Sequence, residues 1–120
     1  MQAETIVYKI VDSKVPVDLS IPIQPLSSLD QADGFIHLST KQQLHGTLKR
    51  FFQNYSQVTL LKIDLNLLED PKLLKWESPK DHSENDENKF PHIYGPLRSS
   101  YVVDHFVVYK STDADNTWLL

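Results

Sequence analysis

The stretch Asp33-Gly34-Phe35-Ile36-His37-Leu38-Ser39-Thr40-Lys41-Gln42-Gln43 decides the fold, because a turn, a strand and a helix start follow one another in it. Its first two residues are a turn signal, and the next five alternate as a short buried strand does. Thr40 and Gln43 have the spacing of a capping box, in which each side chain reaches the backbone N–H of the other residue. The stretch predicts a strand that leads directly into a helix.

One apolar stripe continues from this helix start and predicts the main helix, over about residues 40–54. Gly46 lies inside the predicted helix at a cost of about 1 kcal/mol relative to alanine, which suggests that something packs against its backbone. The residues of the stripe have the spacing i, i+4, i+7, i+8 and i+11 and are Leu44, Leu48, Phe51, Phe52 and Tyr55.

Strand patterns occur on both sides of the helix. Residues 5–11 and 58–65 show strand composition or alternation, and the apolar run 102–109 predicts a strand buried on most of its length. Residues 74–77 predict a brief strand, and the prolines in 90–96 indicate an edge strand or a rigid loop. Three prolines and the absence of a helical period predict an irregular connection over residues 13–33.

These elements predict a single small α+β domain over residues 1–120, with the helix packed across a curved or mixed, mainly antiparallel sheet. Residues 78–89 contain no apolar side chain except Pro79 and predict a mobile acidic loop. The polar tail 111–120 is expected to fray, with docking of Trp118-Leu119-Leu120 as the alternative.

Composition excludes several classes of function. The chain has no cysteine, which excludes disulfides and thiolate chemistry, and three glycines in all, which excludes glycine-rich phosphate loops. A net charge of −4 without a basic stripe argues against long nucleic acid as a partner, although a small anionic ligand stays open. No apolar run approaches the roughly 20 residues that span a bilayer, and the start lacks a secretory pattern, so we expect no membrane association and a cytoplasmic protein. The oligomeric state is left open.

Two polar clusters are candidates for a ligand site. His37 and Ser39 share a strand face with Phe35 at the start of the helix, where the dipole favours anions, although a structural core histidine fits the same pattern. His92 and Tyr94 project to the same side of a proline-stiffened segment, which suits a ligand site or a rigid edge equally well.

Three further candidates have weaker signals. Glu77 follows Trp76, and an indole beside the carboxyl would raise its pKa and suit it to be an acid, a base or a cation stabiliser, unless it is simply solvated. Arg98 has the fork that binds phosphate but also fits an ordinary surface position. A metal site built from His37, His92 and an acidic residue is disfavoured, because no H-x-x-x-H or H-E-x-x-H spacing occurs.

The strings from Asp33 to Thr40 and from Phe90 to Leu97, with residues 6–10 and 74–77, resemble the domain-of-unknown-function family 952. That family has been grouped with the ADP-ribosyltransferase-like folds that bind NAD, so the resemblance implies this fold. It implies NAD as a substrate, with no cofactor required. In those transferases the glutamate follows the aromatic residue, whereas Glu77 precedes Tyr94.

The resemblance also implies roles for individual residues. His37 and Ser39 look like the pair that orients ribose and amide, and Tyr94 or His92 like the aromatic group that packs on nicotinamide. Glu77 looks like the carboxylate that stabilises positive charge as nicotinamide leaves. The expected function is therefore cleavage of the nicotinamide–ribose bond, and the alternative is a non-catalytic module that binds a small ligand or a peptide in the same pocket.

Overall fold

A computed structural model describes residues 5–78, 89–112 and 115–120 of the chain. Short 3-10 turns at Lys41–Gln43, Leu65–Leu67, Pro71–Leu73 and Ser99–Tyr101 connect several of the elements. Within the described ranges the strands and α-helices are, in chain order, β1 (Ile6–Asp12), α1 (Ser28–Asp33), β2 (Ile36–His37), α2 (Leu44–Phe51), β3 (Gln57–Asp64), β4 (Leu74–Glu77), β5 (Phe90–Ile93) and β6 (Val102–Tyr109).

The strands form two antiparallel sheets where one was expected. The first sheet has the order β1-β3-β6, and the second has the order β2-β5-β4. β5 is thus a central strand, so the expectation of an edge strand or a rigid loop over 90–96 is wrong for Phe90–Ile93. The sheets are joined by a pair of backbone hydrogen bonds, from Tyr8 N–H to Ser39 O at 2.8 Å and from Ser39 N–H to Tyr8 O at 2.9 Å. The predicted small α+β domain with antiparallel strands and one main helix is confirmed, with its strands divided between two joined sheets.

Two hydrophobic clusters hold these layers together. One packs the inner face of the second sheet against the first sheet, and its most buried residues are Val7, Ile36, Leu38, Leu61, Ile63, Ile93, Leu97 and Tyr101. The other packs α2 against the first sheet, through Ile10, Leu44, Leu48, Val58, Leu60, Val108 and Trp118. Burial of these side chains is the main source of the stability of the fold. The remaining face of the second sheet is left for polar groups.

The main helix begins where the sequence predicts and ends earlier. Thr40 N–H donates to Gln43 Oε1 at 3.0 Å, as the capping box requires, and the 3-10 turn Lys41–Gln43 runs into α2. Phe52 leaves helical geometry but still packs in the cluster around α2, whereas Phe51 is exposed. Gly46 has open space where a Cβ would stand, so the prediction of a close neighbour there is wrong.

Residues 13–33 contain a helix that the sequence analysis did not predict. α1 is six residues long, too short to display a helical period, and its ends carry the signal instead. Ser27 Oγ accepts the Asp30 N–H at 3.1 Å. Gly34, with φ of 82°, ends the helix by donating its N–H to Asp30 O at 2.9 Å. The two ends place Asp30 and Asp33 immediately before β2.

The prediction that 102–109 is buried on most of its length is wrong. β6 is an edge strand that pairs with β3, and within it Val102 and Val108 are buried while the other six residues are exposed. An apolar run without alternation therefore does not show that a strand is buried, because β6 lies at the edge of its sheet. Beyond it, Trp118 is buried and bridges to Lys110, so the docking alternative is confirmed for Trp118, whereas Leu119 and Leu120 are exposed.

Of the predicted acidic loop 78–89, residues 79–88 lie outside the described ranges, as do residues 113–114 of the tail. Among the described residues, no helix has the length and apolar character needed to cross a membrane.

Candidate functional site

The site lies on the face of the second sheet that turns away from the core. His37 pairs with His92 across β2 and β5, and Glu77 pairs with Phe90 across β4 and β5. Because directly opposed residues of an antiparallel pair point to the same side, and alternate residues do too, one face collects the polar groups. The polar face holds Phe35, His37, Lys75, Glu77, His92 and Tyr94, and the core face holds Ile36, Leu74, Trp76 and Ile93.

His37 is held between two aspartates supplied by α1. Its Nδ1 lies 2.7 Å from Asp30 Oδ1 and its Nε2 lies 2.9 Å from Asp33 Oδ2. The His37 backbone N–H also donates to Asp30 Oδ1, at 3.1 Å. Both ring nitrogens of His37 therefore face carboxylate oxygens, and these contacts together with the backbone hydrogen bond hold the ring in place.

Beneath His37, Asp30 forms a buried ion pair with Lys9. Asp30 Oδ2 lies 2.6 Å from Lys9 Nζ, which also donates to His37 O at 3.2 Å. Only 5% of Lys9 and 2% of Asp30 are exposed. Burial lowers the pKa of Lys9, although the charge of Asp30 and the hydrogen bond to it act in the opposite direction. Burial opposes ionisation of Asp30, but the hydrogen bonds from His37 and the charge of Lys9 keep the Asp30 pKa below its ordinary value.

Glu77 accepts two hydrogen bonds through one oxygen. His92 Nδ1 lies 2.8 Å from Glu77 Oε1, and Tyr94 Oη donates to the same atom at 2.7 Å. The hydrogen bonds from His92 and then Tyr94 lower the pKa of Glu77, while the same carboxylate raises the pKa of Tyr94. The side chain is nevertheless 37% exposed, so Glu77 presents an ionised carboxylate at the surface of the site.

The expected effect of Trp76 on Glu77 is wrong in direction. Trp76 precedes Glu77 in β4, so its indole lies on the core face while the carboxylate lies on the polar face. The indole is therefore not what sets the pKa of Glu77: the hydrogen bonds from His92 and Tyr94 lower it and outweigh the opposite effect of burial.

An aromatic group joins the two halves of the site. The ring centroid of Phe35 lies 4.6 Å from that of His37, 4.3 Å from that of His92 and 5.0 Å from that of Tyr94. Lys75 Nζ lies 5.0 Å from the centroid of Tyr94. Phe35 thus forms a flat contact surface between the histidines and the tyrosine.

A cavity of about 950 Å³ extends from this face toward β1 and α2. Ser39 Oγ and Thr47 Oγ1, 3.0 Å apart, line its wall, and Arg50 of α2 also lines it. Five of the six predicted site residues line the cavity, namely His37, Ser39, Glu77, His92 and Tyr94. Arg98 does not line it, because its guanidinium pairs with Glu69 elsewhere on the surface.

Sequence reasoning missed Lys9, Asp30 and the role of Asp33. Asp33 looked like part of a turn, and Asp30 had no helical period around it to mark its position. The available signal was the Ser27-Ser28-Leu29-Asp30 start of α1, which has the pattern of a helix N-terminus. Among the described residues, no three histidine or acidic side chains are arranged to hold a metal ion.

Three solved structures of one protein are similar to this chain. Two crystal structures of protein CC0527 from Caulobacter crescentus, one of them a double mutant, are 30% identical and have TM-scores of 0.73 and 0.72. Both matches cover 97% of this chain and 95% of theirs. The solution NMR structure of CC0527 is 28% identical, covers 95% of this chain and 91% of its own, and has a TM-score of 0.69.

None of the curated proteins matches the chain. A family model does match, over residues 17–105, which include β2, α2 and every residue of the polar face. The chain therefore belongs to the family described as protein of unknown function DUF952.

Proposed function

We propose that the cavity binds a nucleotide of the NAD type and that the protein cleaves the bond between nicotinamide and ribose, in the manner of ADP-ribosyltransferase-like enzymes. The observation that carries this proposal is the position of Glu77. Its carboxylate is partly exposed in the same cavity as His37 and Tyr94, and it accepts a hydrogen bond from Tyr94 at 2.7 Å.

The charge of Glu77 suits the reaction. Nicotinamide leaves ribose through a state in which positive charge builds up on the sugar, and a nearby carboxylate stabilises that charge. Because two hydrogen bonds hold the pKa of Glu77 below its ordinary value, the group is an anion at neutral pH. Tyr94 and His92 fix the oxygen that they bond and leave the second oxygen for the ligand.

The lining of the cavity suits NAD in other respects. Phe35 and Tyr94 offer ring faces for stacking a nicotinamide. The ionised carboxylate of Glu77, bonded to Tyr94, attracts a cationic ring such as the nicotinamide of NAD⁺. Arg50, on the α2 wall, is the cation we assign to the phosphates. The volume of about 950 Å³ is at the upper end of the range for small-molecule sites.

His37 and Ser39 would orient the ribose. Nδ1 of His37 bonds Asp30, which is buried, so Nδ1 is not available to a ligand. Asp33 is more exposed, and a ribose hydroxyl can replace it as the partner of Nε2. Ser39 Oγ, next to Thr47 Oγ1, supplies a second hydroxyl contact.

The test combines binding with turnover. Melting temperatures of the wild type, His37→Ala and Glu77→Gln are measured against NAD, ADP-ribose and nicotinamide, and free nicotinamide is assayed in the same samples. The matched controls are His105→Ala and Glu69→Gln, because both residues are exposed and lie outside the cavity.

We expect NAD to raise the melting temperature of the wild type and both controls, and His37→Ala to abolish that rise. Glu77→Gln should keep the rise and lose nicotinamide release. Binding of NAD without release of nicotinamide from the wild type would contradict the catalytic half of the proposal and support a non-catalytic binding module. No response to any of the three ligands would remove nucleotide binding as well.

A further inference from the structure

We propose that His92 is the general base that takes the proton from the attacking hydroxyl, of water or of an alcohol acceptor, in the proposed cleavage. This inference deepens the proposed function and rests on it. The hydrogen bond that the His92 ring makes, to Glu77, would by itself indicate only that His92 positions Glu77. The geometry of the second imidazole nitrogen gives His92 a role of its own.

The two nitrogens of His92 have different surroundings. Nδ1 bonds Glu77 Oε1 at 2.8 Å, and a carboxylate oxygen accepts, so Nδ1 carries the proton. Nε2 then carries a lone pair. Within residues 5–78, 89–112 and 115–120 no group bonds Nε2, and the ring lines the cavity. Nε2 is therefore placed to accept a proton from a molecule bound there.

The surroundings of His92 keep it neutral. It is 7% exposed, and the groups that face it are Glu77 and Lys75 of β4, His37 of β2 and Asp30 of α1. Burial lowers the pKa of His92 below its ordinary value, the charge of His37 adds to this effect, and Glu77 opposes it. A neutral imidazole with a free lone pair is the form that a general base needs.

The oxygen of the acceptor hydroxyl forms a bond to the anomeric carbon of the ribose, and the bond from that carbon to the nicotinamide nitrogen breaks. The bonding electron pair goes to nicotinamide, which leaves as a neutral molecule. The hydroxyl proton passes to His92 Nε2 and then to water, while Glu77 stays ionised and counters the charge on the sugar.

Glu77 is the competing base, and the structure offers a variant that separates the two. In His92→Asn the side-chain amide can stand where Nδ1 stands and donate to Glu77, but nothing replaces Nε2. With NAD as substrate and water as acceptor, we expect nicotinamide release to fall by about 100-fold or more, with little change in the concentration of NAD that gives half-maximal rate.

Azide provides the decisive control, because it is a nucleophile with no proton to lose. We expect azide to restore nicotinamide release by His92→Asn, with ribosyl azide as the product, and to add little to the wild type. Azide should not rescue Glu77→Gln, in which the lost group stabilises charge. If His92→Asn does not fold, judged by its melting curve, His92→Ala takes its place in the same comparison, because it also removes Nε2 while Tyr94 still bonds Glu77.

Three results would overturn the assignment. Undiminished release of nicotinamide by His92→Asn would make Glu77 the base. A loss of release that azide does not restore, with the NAD-induced rise in melting temperature retained, would make His92 a positioning residue. Absence of release from the wild type would remove the proposed function itself, and because it is read on the unmodified protein, this failure is distinct from the other two.

Discussion

His37 and His92 face each other across β2 and β5 with ring centroids 5.3 Å apart, and their partners differ. His37 bonds carboxylates through both nitrogens, whereas His92 bonds one carboxylate and keeps its second nitrogen for the cavity. When two residues of the same type have different surroundings in one site, they often take different acid and base roles. In this site both nitrogens of His37 are occupied by carboxylates, whereas Nε2 of His92 is the nitrogen left to accept a proton.

Removal of Asp30 is expected to destabilise the fold strongly. Asp30→Ala leaves the ammonium of Lys9 buried without a counter-charge and should cost about 3–5 kcal/mol of unfolding free energy. Urea denaturation measures this loss. Asp33→Ala is the matched control and should cost less, because Asp33 is more exposed than Asp30. A loss below about 1 kcal/mol in Asp30→Ala would contradict the importance of the buried pair.

His92 is expected to make stability depend on pH. Its pKa in the folded protein is lowered, so as the pH falls below about 6.5 the unfolded chain binds a proton that the folded chain does not. That difference reduces the unfolding free energy between neutral pH and the folded pKa. Urea denaturation at pH 7.5 and 5.5 should show a loss in the wild type and in His105→Ala that is smaller in His92→Asn. An equal loss of unfolding free energy in all three proteins would show that His92 is not the source of the pH dependence.

Phe35 is expected to contribute to binding through its ring. Phe35→Leu keeps apolar volume but removes the stacking surface beside His92 and Tyr94, so affinity for NAD and for nicotinamide should fall by about 2- to 10-fold. Isothermal titration of both ligands measures the change. The affinity for ADP-ribose, which has no nicotinamide, serves as the internal control. An equal loss for all three ligands would show a general disturbance of the cavity.

Arg50 and Arg98 are expected to behave differently towards phosphate. Arg50 lines the cavity and Arg98 pairs with Glu69 outside it. Arg50→Ala should weaken ADP-ribose binding about tenfold and leave nicotinamide binding unchanged, whereas Arg98→Ala should alter neither. Titration of both ligands into each variant checks this. A loss confined to Arg98→Ala would return the phosphate site to the residue that the sequence indicated.

Much of the polar face could be predicted because it depends on local alternation. The period of two placed His37 and Ser39 opposite Ile36 and Leu38, and the structure has this arrangement. The capping-box spacing likewise located the start of the helix. These features need only neighbouring residues, so they can be read before the fold is known.

The parts that could not be predicted depend on contacts distant in sequence. Lys9 and Asp30 meet only because β1 and α1 pack together, and nothing in either segment alone indicates an ion pair. The direction of the pKa shift of Glu77 was wrong because the nearest residue in sequence, Trp76, lies on the opposite face of β4, and His92 and Tyr94 decide it. The exposure of β6 depends on its position at the edge of the first sheet, which the residues of the strand alone do not reveal.

The most direct test of the central claim is the release of nicotinamide from NAD by the wild type and by Glu77→Gln, with Glu69→Gln as the matched control. We expect release by the wild type and the control, and a loss of about 100-fold or more in Glu77→Gln with the NAD-induced rise in melting temperature retained. Equal release by all three proteins, or no release by the wild type, would contradict the claim that this site cleaves the nicotinamide–ribose bond.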